Sequence, residues 1–221
     1  AGSKALVLDA GAAQSILALV SLENVPTLVV LTADQLLPTS LQRETVIDET
    51  RRSYRLDLDG IKIPATQALS TPASAAGLAN IAHAAWLLLS AEAAGGIAGV
   101  LELLVEYLNN RVAFGRKIGS YQGLKHPTVD ILVGLERSRS HVYHAATLLD
   151  AGKDALAALR MAKAQASDSF VFAGDRAIQF HGGFGFTYDC DAQLFLRRAL
   201  WSQANFGDSA HHRKRLADLL L

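Results

Sequence analysis

Cysteine is nearly absent from this chain of 221 residues, where Cys190 is the only one. No disulfide framework can be built from it, which fits a reducing, cytoplasmic setting and leaves Cys190 as an inert small residue. Charge of one sign is not in excess either: 21 basic residues balance 21 acidic ones. That excludes the basic excess of a nucleic-acid or anionic-membrane binder. Uncharged apolar runs long enough for a bilayer are lacking. The most apolar stretch, residues 81–105, holds His83, Glu92, Glu102 and three glycines, whereas a span needs about 20 nearly uncharged residues. It reads as a buried bundle helix. No basic segment precedes an apolar run near the first residue, so no signal peptide is expected. A Gly-x-Ser-x-Gly elbow, a P-loop, a Cys-x-x-Cys pair, internal repeats and low-complexity segments are also missing.

Half of the chain is hydrophobic and 19% is charged, so a sizeable core is available to one large domain or to one and a half. Two textures divide it. Residues 1–70 read as β: short apolar runs at 5–8, 15–20 and 27–31 are bounded by turn residues. Residues 55–64 alternate strictly, with Asp59-Gly60 as a turn signal and Pro64 as a stop. Residues 71–221 read as helical, with helices expected over 74–109, 122–150, 154–179, 191–203 and 209–221. Asp208 or Ser209 is placed to cap the last one. The expectation is therefore an α+β chain, mostly α. A partial β-barrel or sheet domain (1–70) precedes a C-terminal four-helix bundle (71–221). With its several edges and no covering helix, the β piece is a weak domain alone, and part of it is expected to lie outside this chain or on another.

Two segments hold the candidate chemistry. Gln179-Phe180-His181-Gly182-Gly183-Phe184-Gly185 places adjacent glycines after a helical run, where bare backbone can take positive φ and let a bulky ligand approach. It is not a dinucleotide fingerprint, which needs a strand before it and a helix starting within it. Arg111, followed by Phe114-Gly115, offers a rigid fork of donors for a phosphate and a ring face for a nucleoside. Taken singly, each has a plainer reading: Arg111 as a solvated helix-end cation, Gln122 as a first-turn polar residue, Gly182-Gly183 as a helix cap. The adjacent pair His211-His212 diverges on a helix, and His141 with His144 has no third ligand, so no metal site is expected. Arg213-Lys214-Arg215 reads as a solvated face.

In order, Arg111-x-x-Phe114-Gly115-x-x-Ile118, then Gln122, then Gln179-x-His181-Gly182-Gly183-x-Gly185-Phe186-Thr187 resemble the acyl-CoA dehydrogenase family. The runs from Asp57 to Ala65 and from Gly2 to Ala13 are similar to parts of that family's β domain, so the resemblance covers nearly the whole chain. It implies a flavoprotein that desaturates acyl-CoA thioesters at Cα–Cβ, built from an N-terminal helical domain, a middle β domain and a C-terminal bundle. The first of these would be absent from this chain. Each FAD in the family lies between subunits, so the resemblance assigns Arg111, Phe114, Gln122, Gln179, Gly182 and Gly183 to the adenosine and pyrophosphate end of a partner's FAD.

The same comparison predicts a damaged site of the chain's own. Leu6 and Leu8 stand where the family's tryptophan and threonine face the flavin. Its glutamate base would fall at Phe206 in the run Asn205-Phe206-Gly207-Asp208, or at Ala85 on the first bundle helix. Neither is a base. Asp208 is the weak candidate, with a helix cap as its plainer role. The expectation is a non-catalytic subunit of a heteromeric acyl-CoA dehydrogenase, α2β2, whose catalytic partner binds the acyl-CoA substrate. Sterol side-chain thioesters, as in cholesterol catabolism by actinobacteria, are the implied substrate class. The alternatives are an active homo-oligomer using Asp208, or a flavin-free structural relative.

Overall fold

The structure, a computed structural model, describes residues 2–221. It divides into two compact units, one ending at Ile81 and the other spanning Ala82–Leu221.

The first unit carries five strands: β1 (Ser3–Leu8), β2 (Ser15–Leu22), β3 (Val25–Thr32), β4 (Leu41–Glu44) and β5 (Ser53–Asp57). β2 and β3 form a hairpin in register from Ser15↔Thr32 to Leu22↔Val25. Glu23 and Asn24 close it, both at positive φ, as a two-residue turn matching the strand twist requires. Along β2, Ile16 and Ala18 point inward while Leu17 and Leu19 stay exposed. The second sheet has the order β1-β5-β4, and the described strands do not close into a barrel. Ile16, Ala18, Val29, Leu31 and Leu56 make the core of this unit.

The strand expected over 55–64 is shorter. β5 stops at Asp57, and the chain turns at Asp59-Gly60 with Gly60 at φ +78°. Ile61 and Ile63 keep the alternation because they pack on the core without joining a ladder. β4 reads Leu-Gln-Arg-Glu, too polar for an alternation signal.

The second unit holds most of α1 (Thr71–Asn110), a small hairpin β6–β7 (Val112–Ala113 and Arg116–Lys117), α2 (Gln122–Asp150), α3 (Leu156–His181), α4 (Ala192–Ala204) and α5 (Ser209–Leu220). By length and composition α1 could cross a membrane. Within the bundle, its Ala93, Ile97, Val100, Leu104 and Leu108 recur every three to four residues and sink into one core. Ile131 and Leu135 of α2, Ala166, Phe170, Ala173 and Ala177 of α3, and Ala192 and Ala199 of α4 complete that core. Each large aliphatic buried here contributes roughly 1.5–3 kcal/mol.

Two neighbouring glycines of α1 separate close packing from mere tolerance. A Cβ on Gly96 would lie 2.2 Å from the Phe170 ring, whereas one on Gly95 would meet nothing within 4 Å. Phe170 is 1% exposed and has little room to move. Gly96→Ala should therefore destabilise by about 1–3 kcal/mol, and Gly95→Ala should stabilise by up to about 1 kcal/mol. Urea unfolding of the two variants beside the wild type checks the opposite signs.

Candidate functional site

α3 is buried on most of its circumference, and the site forms where it stops. The helix runs two residues past its expected end, so Gln179 and His181 belong to its last turn. Gly182 terminates it at φ +62°, ψ −145°, a region open essentially to glycine alone. This is not the left-handed cap of an ordinary helix end. Gly183 has ordinary φ, but a Cβ there would meet only open space. Gly185 is a packing residue, since its Cβ would fall 2.4 Å from the Ile178 carbonyl oxygen. The three glycines thus have three different reasons.

Arg111, Gln179, Gly182 and Gly183 line one cleft of about 500 Å³ with Tyr107 and His181. Arg111 follows the last residue of α1, where a cation suits the helix dipole. Its guanidinium makes no ion pair among the described residues, and the Gln179 amide makes no side-chain hydrogen bond among them. An unpaired fork of donors beside open glycine backbone fits an anionic ligand such as the diphosphate of a nucleotide.

Phe114 and Gln122 do not line this cleft. Phe114 sits at the tip of β6–β7, 95% exposed, with φ +53°. With Gly115 at φ +77° it closes a two-residue hairpin whose first position normally takes Asn or Asp. Its ring meets Tyr121 edge-on at 6.5 Å and otherwise faces solvent. Gln122 opens α2 and is exposed. Tyr107 and His181 are cleft residues that motif reasoning did not assign. Tyr107 was legible, because it lies one helical turn before Arg111 on the same face.

The loop at residues 205–208 is closed rather than open. The Phe206 carbonyl accepts from the Trp86 indole N–H at 2.9 Å and from His212 Nε2 at 3.1 Å. Phe206 itself is half-exposed at φ +55°. The Lys163 ammonium, 1% exposed, donates to the carbonyls of Ser202 and Gln203 at the end of α4, to the Gly207 carbonyl, and to Ser167 Oγ, all within 3.3 Å. Burial pushes its pKa down to about 8 against the pull of Asp208 and Asp168. Asp208 is exposed, and its carboxylate accepts from the His211 backbone N–H at 2.7 Å as the N-cap of α5. Ala85 offers no ionisable group. In the β unit, Leu6 is 60% exposed at φ +57°, its N–H donating to Glu44, and Leu8 is 38% exposed. Neither side chain can donate a hydrogen bond.

The model of the acyl-CoA dehydrogenase C-terminal domain matches residues 79–221, the stretch that carries the bundle, the cleft and the closed loop. The chain belongs to the acyl-CoA dehydrogenase family. It is 35% identical over 137 residues to the acyl-CoA dehydrogenase IpdE2 of Mycolicibacterium smegmatis, covering 62% of this chain and 42% of that protein. It is also 35% identical over 133 residues to an acyl-CoA dehydrogenase of Bacillus subtilis, covering 60% and 35%. The chain thus spans about two fifths or less of these curated relatives. Among solved structures, one from work on the electron transferring flavoprotein of Acidaminococcus fermentans superposes with a TM-score of 0.91 at 26% identity, over 100% of this chain and 60% of that one. Butyryl-CoA dehydrogenase of Megasphaera elsdenii gives 0.89 at 22%, over 99% and 59%, which shows the fold.

His212 makes the closed loop sensitive to acid. It is fully buried, meets Trp86 edge-on at 5.2 Å, and lies 3.5 Å from the Arg160 guanidinium through Nδ1. Its pKa is pushed down to about 4, by burial first, opposed by the Phe206 hydrogen bond and reinforced by Lys163, Arg160 and His211. The folded state then binds fewer protons than the unfolded chain between about pH 4 and 6.5, so stability is lost as pH falls through that window. Denaturant midpoints across it should drop more steeply in the wild type than in His212→Gln, which keeps a donor for Phe206 but cannot charge.

Proposed function

We propose that this chain works as an FAD-dependent acyl-CoA dehydrogenase subunit that holds the adenosine diphosphate end of FAD and leaves proton abstraction to a partner. The observation that carries this is the cleft in which unpaired Arg111 and Gln179 face the open backbone of Gly182 and Gly183. Arg111 would take the pyrophosphate as a charge-assisted fork. The two glycines let the ligand reach the backbone. Phe114, held out on its hairpin, and Gln122, at the start of α2, would meet the nucleotide from beyond the cleft. FAD, when bound, supplies the hydride acceptor for α,β-desaturation of an acyl-CoA thioester.

The loop at 205–208 supports a non-catalytic role. Phe206 has no titratable group. Asp208 would have to give up its cap on α5 to reach a substrate, so the reading of an active homo-oligomer with Asp208 as base has the geometry against it. Leu6 and Leu8 favour a flavin ring bound elsewhere, on a catalytic acyl-CoA dehydrogenase partner in an α2β2 assembly in the cytoplasm. Resemblance to heteromeric actinobacterial members makes sterol side-chain CoA thioesters the substrate class. A flavin-free structural role would leave Arg111 without a purpose.

The test is native mass spectrometry with a flavin spectrum on the chain co-purified with its catalytic partner. A pair of different chains sharing one FAD is expected. Arg111→Ala should lower the FAD affinity of that complex about 10- to 100-fold, the worth of a charge-assisted hydrogen bond pair. Unchanged FAD content in the variant, or a homo-oligomer with one FAD per chain, would overturn the proposal.

A further inference from the structure

α5 is fastened to the bundle mainly by polar contacts. Of its 12 residues only Ser209 and His212 are buried, so no hydrophobic side chain of the helix is. The hydrophobic core packed from the other four helices contains no residue of α5. Ser209 donates to the Asp168 carboxylate of α3, which also pairs with Arg213 at the surface. His212 is the deeper tie. Its Nε2 lies 3.1 Å from the Phe206 carbonyl oxygen, which can only accept, so Nε2 carries a hydrogen. Nδ1 faces the Arg160 guanidinium of α3 at 3.5 Å, its only hydrogen-bonding neighbour among the described residues. A guanidinium can only donate, so the docked ring is neutral with Nδ1 bare. Gly207 closes on the same ring, where a Cβ would lie 3.1 Å from Nε2.

A second proton on this ring finds no acceptor. On Nδ1 it would set N–H against N–H and cation against cation. α3 turns Arg160 and Lys163 toward the ring, and α5 adds His211. α1 presents Trp86 with His83 beside it, and α4 contributes the carbonyls that hold Lys163. Lys163 keeps its charge below about pH 8 and so opposes the new one. The nearby carboxylates are engaged, Asp168 by Ser209 and Arg213, Asp208 by the His211 backbone N–H. We propose that α5 is a proton-released strap: protonation of His212 undocks it together with the loop at 205–208, while the rest of the bundle stays folded. A released helix of this length is marginal in water and melts. Its departure uncovers Trp86 and the Lys163 ammonium, which the docked strap and loop keep from solvent.

Hydrogen exchange of the full chain between about pH 7 and pH 5, corrected for the intrinsic pH dependence of exchange, tests this. The docked ring takes its second proton only near pH 4 and a free histidine near 6.5, so docking is lost as pH falls. Protection of residues 205–216 should drop by up to about tenfold per pH unit, the uptake of one proton on undocking. Residues 93–104 of α1 and 162–177 of α3 should keep theirs. In His212→Gln the protection of 205–216 should not depend on pH over this range. Arg160→Gln leaves the histidine in place and removes the cation facing Nδ1, so docked His212 charges more readily. From pH 7 to 5 that variant should lose less protection in 205–216 than the wild type does. Equal losses in 205–216 and in the two core segments would place the acid sensitivity in the bundle as a whole and overturn the proposal. Unchanged protection in the wild type, or a wild-type slope in His212→Gln, would overturn it too.

Discussion

The bundle is organised by the near-complete burial of α3. Ala158, Leu159, Ala162, Ala166, Phe170, Ala173 and Ala177, all at most 5% exposed, form one stripe, and buried Lys163, Ala164, Ser167 and Gly174 widen it well beyond a single face. A helix that is buried on most sides must be approached closely by several neighbours, which explains its run of alanines and Gly174. A Cβ on Gly174 would lie 2.9 Å from the Leu196 Cα of α4. α2, α4 and α5 all pack on α3. The helix therefore cannot shift or extend without disturbing the whole bundle, and both functional regions hang on it.

Those two regions are opposite in character. At the C-terminal end of α3, the Arg111 guanidinium and the Gln179 side-chain amide have no partner among the described residues. Arg111 and Gln179 face open space, and Gly182 stops the helix in a conformation that only glycine holds cheaply. Toward its other end the Lys163 ammonium and the loop carbonyls are hydrogen-bonded. The three N–H groups of Lys163 are shared among four acceptors, and His212 and Trp86 converge on the Phe206 carbonyl. A buried ammonium without a carboxylate directly on it survives because the last carbonyls of α4 and the Gly207 carbonyl supply partial negative charge. The first region is the cleft proposed to receive the cofactor. The second keeps a loop in one conformation. That contrast supports the proposal of a chain that binds a cofactor without abstracting a proton.

Much of this was legible in the residues. Apolar spacing located every long helix, because each buries a face with a 3.6-residue period, and the bounds of α2 were read without error. The hairpin β2–β3 was readable from two apolar runs. The polar strand β4 and the two-residue strands of β6–β7 were not, since short ladders with no buried face leave no periodicity. In the cleft, the motif spacing pointed to Arg111, Gln179, Gly182 and Gly183. His181 was visible as a residue, but its burial and its contacts with the Ala177 carbonyl and the Tyr107 ring come from packing that no spacing rule gives.

The sequence by itself determined the helical character of residues beyond about 71, the family, and the absence of an ionisable residue at Phe206 and Ala85, because these depend on local periodicity and on residue identity. Only the tertiary structure decided that Lys163 is buried with its charge, that Asp208 is occupied as a cap, and that Gly182, Gly183 and Gly185 stand for different reasons. Each of those depends on which backbone or side chain comes within a few ångströms from another helix, and that proximity is fixed by packing rather than by order along the chain.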